Sequence, residues 1–199
     1  MRRIDLLTIA IGLIVSLWAV TPARADYKTY VSGTGSNANP CTRDLPCATF
    51  PVALAATNAN GEIICIDAPD YPVPTTISKS VTIDCTGVAA TLPNSGVIPA
   101  ITINLPPGDV SQTVRLRGFS INGLGVGARG ISIVAAKTVI LEDMEITNET
   151  QQGIADVRTT GGLLLIKNSV IAKNTGAGLA IAVTGGPYVA AVRFWNRGK

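Results

Sequence analysis

The sequence predicts an all-β fold, a parallel β-helix or solenoid of short strands, closed at its N-terminal end by a capping α-helix. Three observations carry that expectation: a block of 25 residues recurs, apolar residues alternate with period two inside each block, and a proline-led, alanine-rich segment precedes the first block.

The repeat comes first. TVRLRGFSING from Thr113, TVILEDMEITN from Thr138 and LLLIKNSVIAKN from Leu163 lie over one another in steps of 25 residues. Val114, Val139 and Leu164 fall in one column, Leu116, Leu141 and Ile166 in a second, and Ile121, Ile146 and Ile171 in a third. A fixed period in this range marks an array in which each repeat buries its apolar face only by stacking on the next. Within a block a turn residue (Gly118, Asp143 or Asn168) separates two alternating runs. A third run follows a polar loop: GISIVAAK from Gly130, GIADVRTT from Gly153 and GLAIAVTG from Gly178. Alternation over four or five residues bounded by Gly, Asn, Asp and Thr reads as strand.

Upstream, EIICID (Glu62 to Asp67), TTIS (Thr75 to Ser78) and SVTIDCTG (Ser80 to Gly87) read as earlier, less regular repeats. Val88 to Val110 reads as a loop insertion with one strand, Ile101 to Leu105. The helix is expected near Pro51, capped by Thr49, continuing through Ala56 and stopped by Gly61, with Phe50 and Leu54 on the first repeat. At the other end Val189 and Ala191 are expected inward, one period after Leu164 and Ile166. The last repeat is then unfinished. Phe194 and Trp195 fold over it as a plug, or it associates with another molecule, or the chain is a truncated fragment of a longer β-helix protein.

Composition bounds the address and the partners. Arg2 and Arg3, an apolar run from Leu6 to Val20, and Ala23-Arg24-Ala25 form the pattern of a secretory signal peptide over residues 1–25. The apolar run is about 15 residues, short of the roughly 20 that cross a bilayer as a helix. An uncleaved anchor is the alternative, against which the processing site argues. Cleavage leaves residues 26–61 as strand, disulfide loop and capping helix, and 62–199 as the repeats. It removes three arginines and one aspartate and takes the formal charge from +3 to +1. That balance gives no reason to expect nucleic acid as a partner, and no membrane association is expected after cleavage. The four cysteines, Cys41, Cys47, Cys65 and Cys85, are expected as disulfides in an oxidising compartment. Of three pairings, Cys41–Cys47 with Cys65–Cys85 is expected. An offset of 20 between strands stacks the second pair, whereas an offset of 18, aligning Ile63 with Val81, leaves it diagonal. A zinc site is disfavoured by the spacing and by a chain without histidine.

The run TYVSGTGSNANPCTRDLPCATF, the alanine-rich helix, EIICID and TTISKSVTIDCTG together resemble the N-terminal part of secreted bacterial right-handed parallel β-helix proteins of the pectate-lyase-like superfamily. The resemblance covers Thr29 to Gly87 and implies a right-handed β-helix with a secreted or periplasmic address. It implies no single activity, because fold does not carry function. Polygalacturonase-like chemistry would need paired aspartates, Gly-His-Gly and Arg-Ile-Lys, and the chain has none of these. A pectin-methylesterase-like arrangement of two aspartates, an arginine and glutamines cannot be placed, and Gln151 and Gln152 alone do not supply it. A pectate-lyase-like enzyme would bind calcium through carboxylates, here Glu142, Asp143 and Glu145, with Arg117 or Lys167 as the catalytic base.

Against that reading stands the repeat itself. Glu142 falls between Arg117 and Lys167, with Asp84 beyond Arg117, so the outward column reads as opposite charges on adjacent strands. Asp143 has a turn to make, as do Asn148, Asn168 and Asn174. Glu145, between Ser120 and Val170, has no charge partner in its column. Tyr71, Tyr188, Phe194 and Trp195 are aromatic candidates for stacking on sugars, although capping is the expected use of the last two. The function expected is an exported scaffold, a non-catalytic or degenerate module for polysaccharide or cell-surface glycan. It needs no cofactor; a calcium-dependent polysaccharide lyase is the alternative.

Overall fold

The computed structural model describes residues 26–88 and 90–193. The expected signal peptide and the expected plug, Phe194 and Trp195, lie outside the described residues.

The described chain is all-β apart from one short helix, and its strands stack in parallel in three sheets. Numbered in chain order, the first sheet runs β1 (Asp26–Val31), β2 (Thr57–Cys65), β4 (Val81–Asp84), β7 (Thr113–Arg117), β10 (Thr138–Glu142), β13 (Gly162–Lys167) and β16 (Tyr188–Arg193). The second runs β5 (Ala90–Pro93), β8 (Phe119–Asn122), β11 (Glu145–Thr147) and β14 (Val170–Ala172). The third runs β3 (Thr75–Ile77), β6 (Ile101–Asn104), β9 (Ile131–Ala135), β12 (Ile154–Asp156) and β15 (Leu179–Ile181). The four repeats that begin with β4, β7, β10 and β13 each contribute one strand to each sheet.

The 25-residue register holds from β7 through β13 in the first sheet and from β8 through β14 in the second. Val114, Val139 and Leu164 pair in sequence, as do Leu116, Leu141 and Ile166, and Ile121, Ile146 and Ile171. Alternation sends these columns inward, where they join one apolar core that includes residues of all three sheets. Gly118, Asp143 and Asn168 occupy the corner between the first and second sheets with φ of 74°, 53° and 49°. A left-handed corner is cheapest for glycine and next for Asn or Asp. At Gly118 there is also no room, because a Cβ would lie 2.6 Å from the Thr86 backbone nitrogen.

Four expectations need correction. Val88 to Val110 holds a further strand, β5, whose Leu92 is fully buried opposite Ile121. The helix, α1 (Phe50–Ala56), ends well before Gly61: Thr57 already starts β2, and both its backbone N–H and its hydroxyl donate to the Ala53 carbonyl. Thr49 holds the N-cap position, but its hydroxyl donates to Asn37 Oδ1 at 3.2 Å and caps nothing. Finally, β16 pairs one residue out of the expected step: Leu164 faces Ala190 and Ile166 faces Val192, so Val189 and Ala191 are not the inward pair. The cause is length, since residues 182–187 link β15 to β16 where the shorter 157–161 link β12 to β13. Val189 is 57% exposed.

The N-terminal end is closed in several ways. Phe50 and Leu54 of α1 are buried, and Phe50 stacks 4.8 Å from Tyr71 and 5.9 Å from Phe119. The outer edge of β1 exchanges backbone hydrogen bonds with the loop around Cys41 and Cys47, through Tyr30 N–H to Cys41 O (2.9 Å) and Cys47 N–H to Tyr30 O (3.0 Å). Both expected disulfides are present, Cys41–Cys47 and Cys65–Cys85. The offset of 20 between β2 and β4 stacks the second pair at a Cα separation of 4.7 Å. Two disulfides fit an oxidising compartment. Among the described residues no helix is long and apolar enough to cross a membrane.

Candidate functional site

The outward column of the first sheet is a ladder of ion pairs. Asp84 faces Arg117, Arg117 faces Glu142, and Glu142 faces Lys167 on adjacent strands. Arg117 Nη1 lies 2.7 Å from Asp84 Oδ2, Arg117 Nε 3.3 Å from Glu142 Oε2, and Lys167 Nζ 2.9 Å from Glu142 Oε1. Arg115 was not expected in this ladder, because its own column reads Thr82 and Ile140, yet its Nε leans 3.2 Å from Glu142 Oε2. Partial burial pushes the Glu142 carboxyl up, but the Lys167 hydrogen bond and the charges of Arg115, Lys167 and Arg117 outweigh it and hold the group below its ordinary range. With three cations on one carboxylate, Glu142 is occupied as an ion-pair hub, and the two residues expected as bases, Arg117 and Lys167, are both committed to it.

Asp143 and Glu145 sit apart from that hub. Asp143 turns the corner in left-handed backbone, its N–H donating to Lys167 O at 3.1 Å. Glu145 opens β11 between Ser120 and Val170, exposed. Neither forms an ion pair among the described residues. The three acids do not converge as a metal cage, and among the described residues no group of three potential ligands from His, Cys, Asp and Glu does so.

What Asp143 and Glu145 do share is a shallow groove of about 460 Å³ along the corner and the second sheet. Its floor is Phe119 and Met144, both nearly buried, and its rim is Thr91, Ser120, Asp143, Glu145 and Asn168. Thr91 also hydrogen-bonds Asp70 across a parallel bridge at the groove's outer side. Hydroxyls, an amide and two carboxylates without an ion pair can hydrogen-bond a polyhydroxylated ligand along this groove. Two of the aromatics proposed for stacking are elsewhere. Tyr71 is fully buried in the core with its hydroxyl on Asp67 (3.2 Å) and Val31 O (3.3 Å). Tyr188 donates to Asp156 Oδ2 at 2.9 Å.

That last contact belongs to a group the sequence reading missed. Asp156 and Arg158 are fully buried as a bidentate pair, Arg158 Nη2 to Oδ2 at 2.6 Å and Nε to Oδ1 at 2.9 Å. Arg158 Nη1 also donates to Ala136 O at 2.9 Å, and its guanidinium lies 5.3 Å from the Tyr188 ring centre. Every charge is answered, which is the condition for burying such a pair. The signal was present: Asp156 falls between Ile133 and Ile181, a charge in an apolar inward column.

Comparison with protein-family models, with curated proteins and with solved structures finds no match to this chain.

Proposed function

We propose that the chain is an exported, right-handed parallel β-helix of the pectate-lyase-like kind, secreted or periplasmic in a bacterium, that serves as a non-catalytic scaffold binding a polysaccharide or cell-surface glycan. Three parallel sheets in step with a 25-residue repeat and two disulfides support the fold and the address. The observation that carries the function is the groove in which Asp143 and Glu145 keep free carboxylates beside Thr91, Ser120 and Asn168. Glu142, Arg117 and Lys167 are engaged with one another, so the lyase alternative would have to break ion pairs to free a base.

The test is a panel of neutral and acidic polysaccharides titrated with and without calcium, reading heat of binding and ultraviolet absorbance from unsaturated product. Binding without cleavage, weakened roughly tenfold by Glu145→Ala through the loss of one charged hydrogen-bonding group, is expected. Calcium-dependent unsaturated product that disappears in Lys167→Ala would replace the scaffold with a lyase. A second copy of the chain is the other partner proposed, through the edge of β16 and the exposed Ile181, Val189 and Val192.

A further inference from the structure

Glu149 is fully buried in the stack of loops that follow the second sheet, and nothing in the ladder or the groove uses it. Its Oε2 accepts one hydrogen bond, from Asn94 Nδ2 at 3.0 Å, and its Oε1 has no partner among the described residues. Asn94 cannot give more, since its amide also donates to Arg129 O at 3.0 Å. Four loops pack here, 94–100, 123–130, 148–153 and 173–178, and the only charged side chains they carry besides Glu149 are Arg129 and Lys173. Arg129 donates through Nε to Gln152 Oε1 at 2.7 Å, Lys173 is exposed, and neither pairs with Glu149. The pocket is also tight. A Cβ at Gly123 would lie 2.7 Å from Glu149 Cδ, and one at Gly127 would lie 2.8 Å from Oε2.

A neutral carboxyl holding one amide hydrogen bond fits such a site, whereas a carboxylate would carry a buried charge that no cation of the four loops answers. Burial accordingly pushes the group up to about 7, only partly offset by the Asn94 hydrogen bond. We propose that Glu149 is a proton-operated latch on this loop stack. Protonated, it sits dry and closed; on losing its proton it draws in water by parting the loops. The bonds that yield are Thr150 N–H to Gly127 O (2.7 Å), Gln151 N–H to Ala128 O (2.9 Å) and Ala128 N–H to Gly96 O (2.9 Å). The same loops present the exposed side chains of Val97, Ile98, Leu124 and Val126, so the latch controls how a patch of apolar surface is held.

The sign follows from linkage. A carboxyl raised from 4.5 to about 7 binds its proton more tightly folded than unfolded, so its stabilisation is whole below 4.5 and is lost as pH rises through about 7. Asp67, Asp109 and Glu142 are held low instead and stay ionised across that window. The experiment is thermal unfolding of the full chain and of Glu149→Gln between about pH 5 and about pH 8, read as the difference between the two profiles. The wild type is expected to lose several degrees relative to Glu149→Gln, which keeps the shape of the neutral acid. Parallel profiles would overturn the latch. Should Glu149→Gln not fold, infrared spectroscopy of the wild type decides: a neutral carboxyl band present near pH 6 and gone by about pH 8 supports the latch, and its absence near pH 6 overturns it.

Discussion

At the N-terminal end of the strand stack the outer edge of β1 gives its backbone groups to the Cys41–Cys47 loop, α1 covers the core with Phe50 and Leu54, and Cys65–Cys85 ties β2 to the segment after β4. At the C-terminal end β14, β15 and β16 pair with no further strand among the described residues, and Ile181, Val189 and Val192 are 46%, 57% and 41% exposed. One end is held by covalent links and paired backbone. The other has backbone pairing on its inner side alone, with Tyr188 reaching back to Asp156 and Arg158. In a stack where each repeat leans only on its neighbours, an outer edge that no described strand covers is a place where further pairing can occur.

The sharpest way to break this comparison is Arg158→Met. It leaves Asp156 buried without its cation and should cost about 3–5 kcal/mol in urea unfolding, with part recovered on adding Asp156→Asn. A loss below about 1 kcal/mol would mean that the C-terminal repeats are not anchored by this pair. Next in size is removal of the second disulfide. Cys65→Ser with Cys85→Ser opens a loop spanning 20 residues and should cost about 3 kcal/mol, with hydrogen exchange rising in β2 and β4 before β13. Equal loosening of all repeats would erase the distinction between the ends. Smallest in stability is Val189→Lys at the open edge. It should change unfolding by no more than about 0.5 kcal/mol, yet weaken concentration-dependent self-association about tenfold in sedimentation. Unchanged association would remove the edge as the contact.

The repeat was legible because its inward columns are occupied by Val, Leu and Ile at a constant step, and the corner residues by Gly, Asp and Asn. Three rungs of the ion-pair ladder, Arg117, Glu142 and Lys167, followed from the same step. What escaped has identifiable physical causes. β5 reads as loop because ATLP is short and ends in proline, and only pairing against β8 makes it a strand. The β16 slip depends on one added loop residue, whose effect on register a repeat count does not reveal. Arg115 joins Glu142 by leaning across columns, a side-chain choice that alternation does not fix. Asp156 broke an apolar column visibly, but Glu149 did not: its position falls in a loop, and its burial arises from the stacking of loops far apart in sequence.

The stacked Cys65–Cys85 link has a mechanical consequence. Tension applied at the C-terminus would peel β16 from β13, then β13 from β10, one parallel strand pair after another. Peeling that reached β4 would meet a covalent bond to β2 that does not yield to the same force. The molecule would therefore extend in small steps, and the segment closed between Cys65 and Cys85 would add nothing to its length.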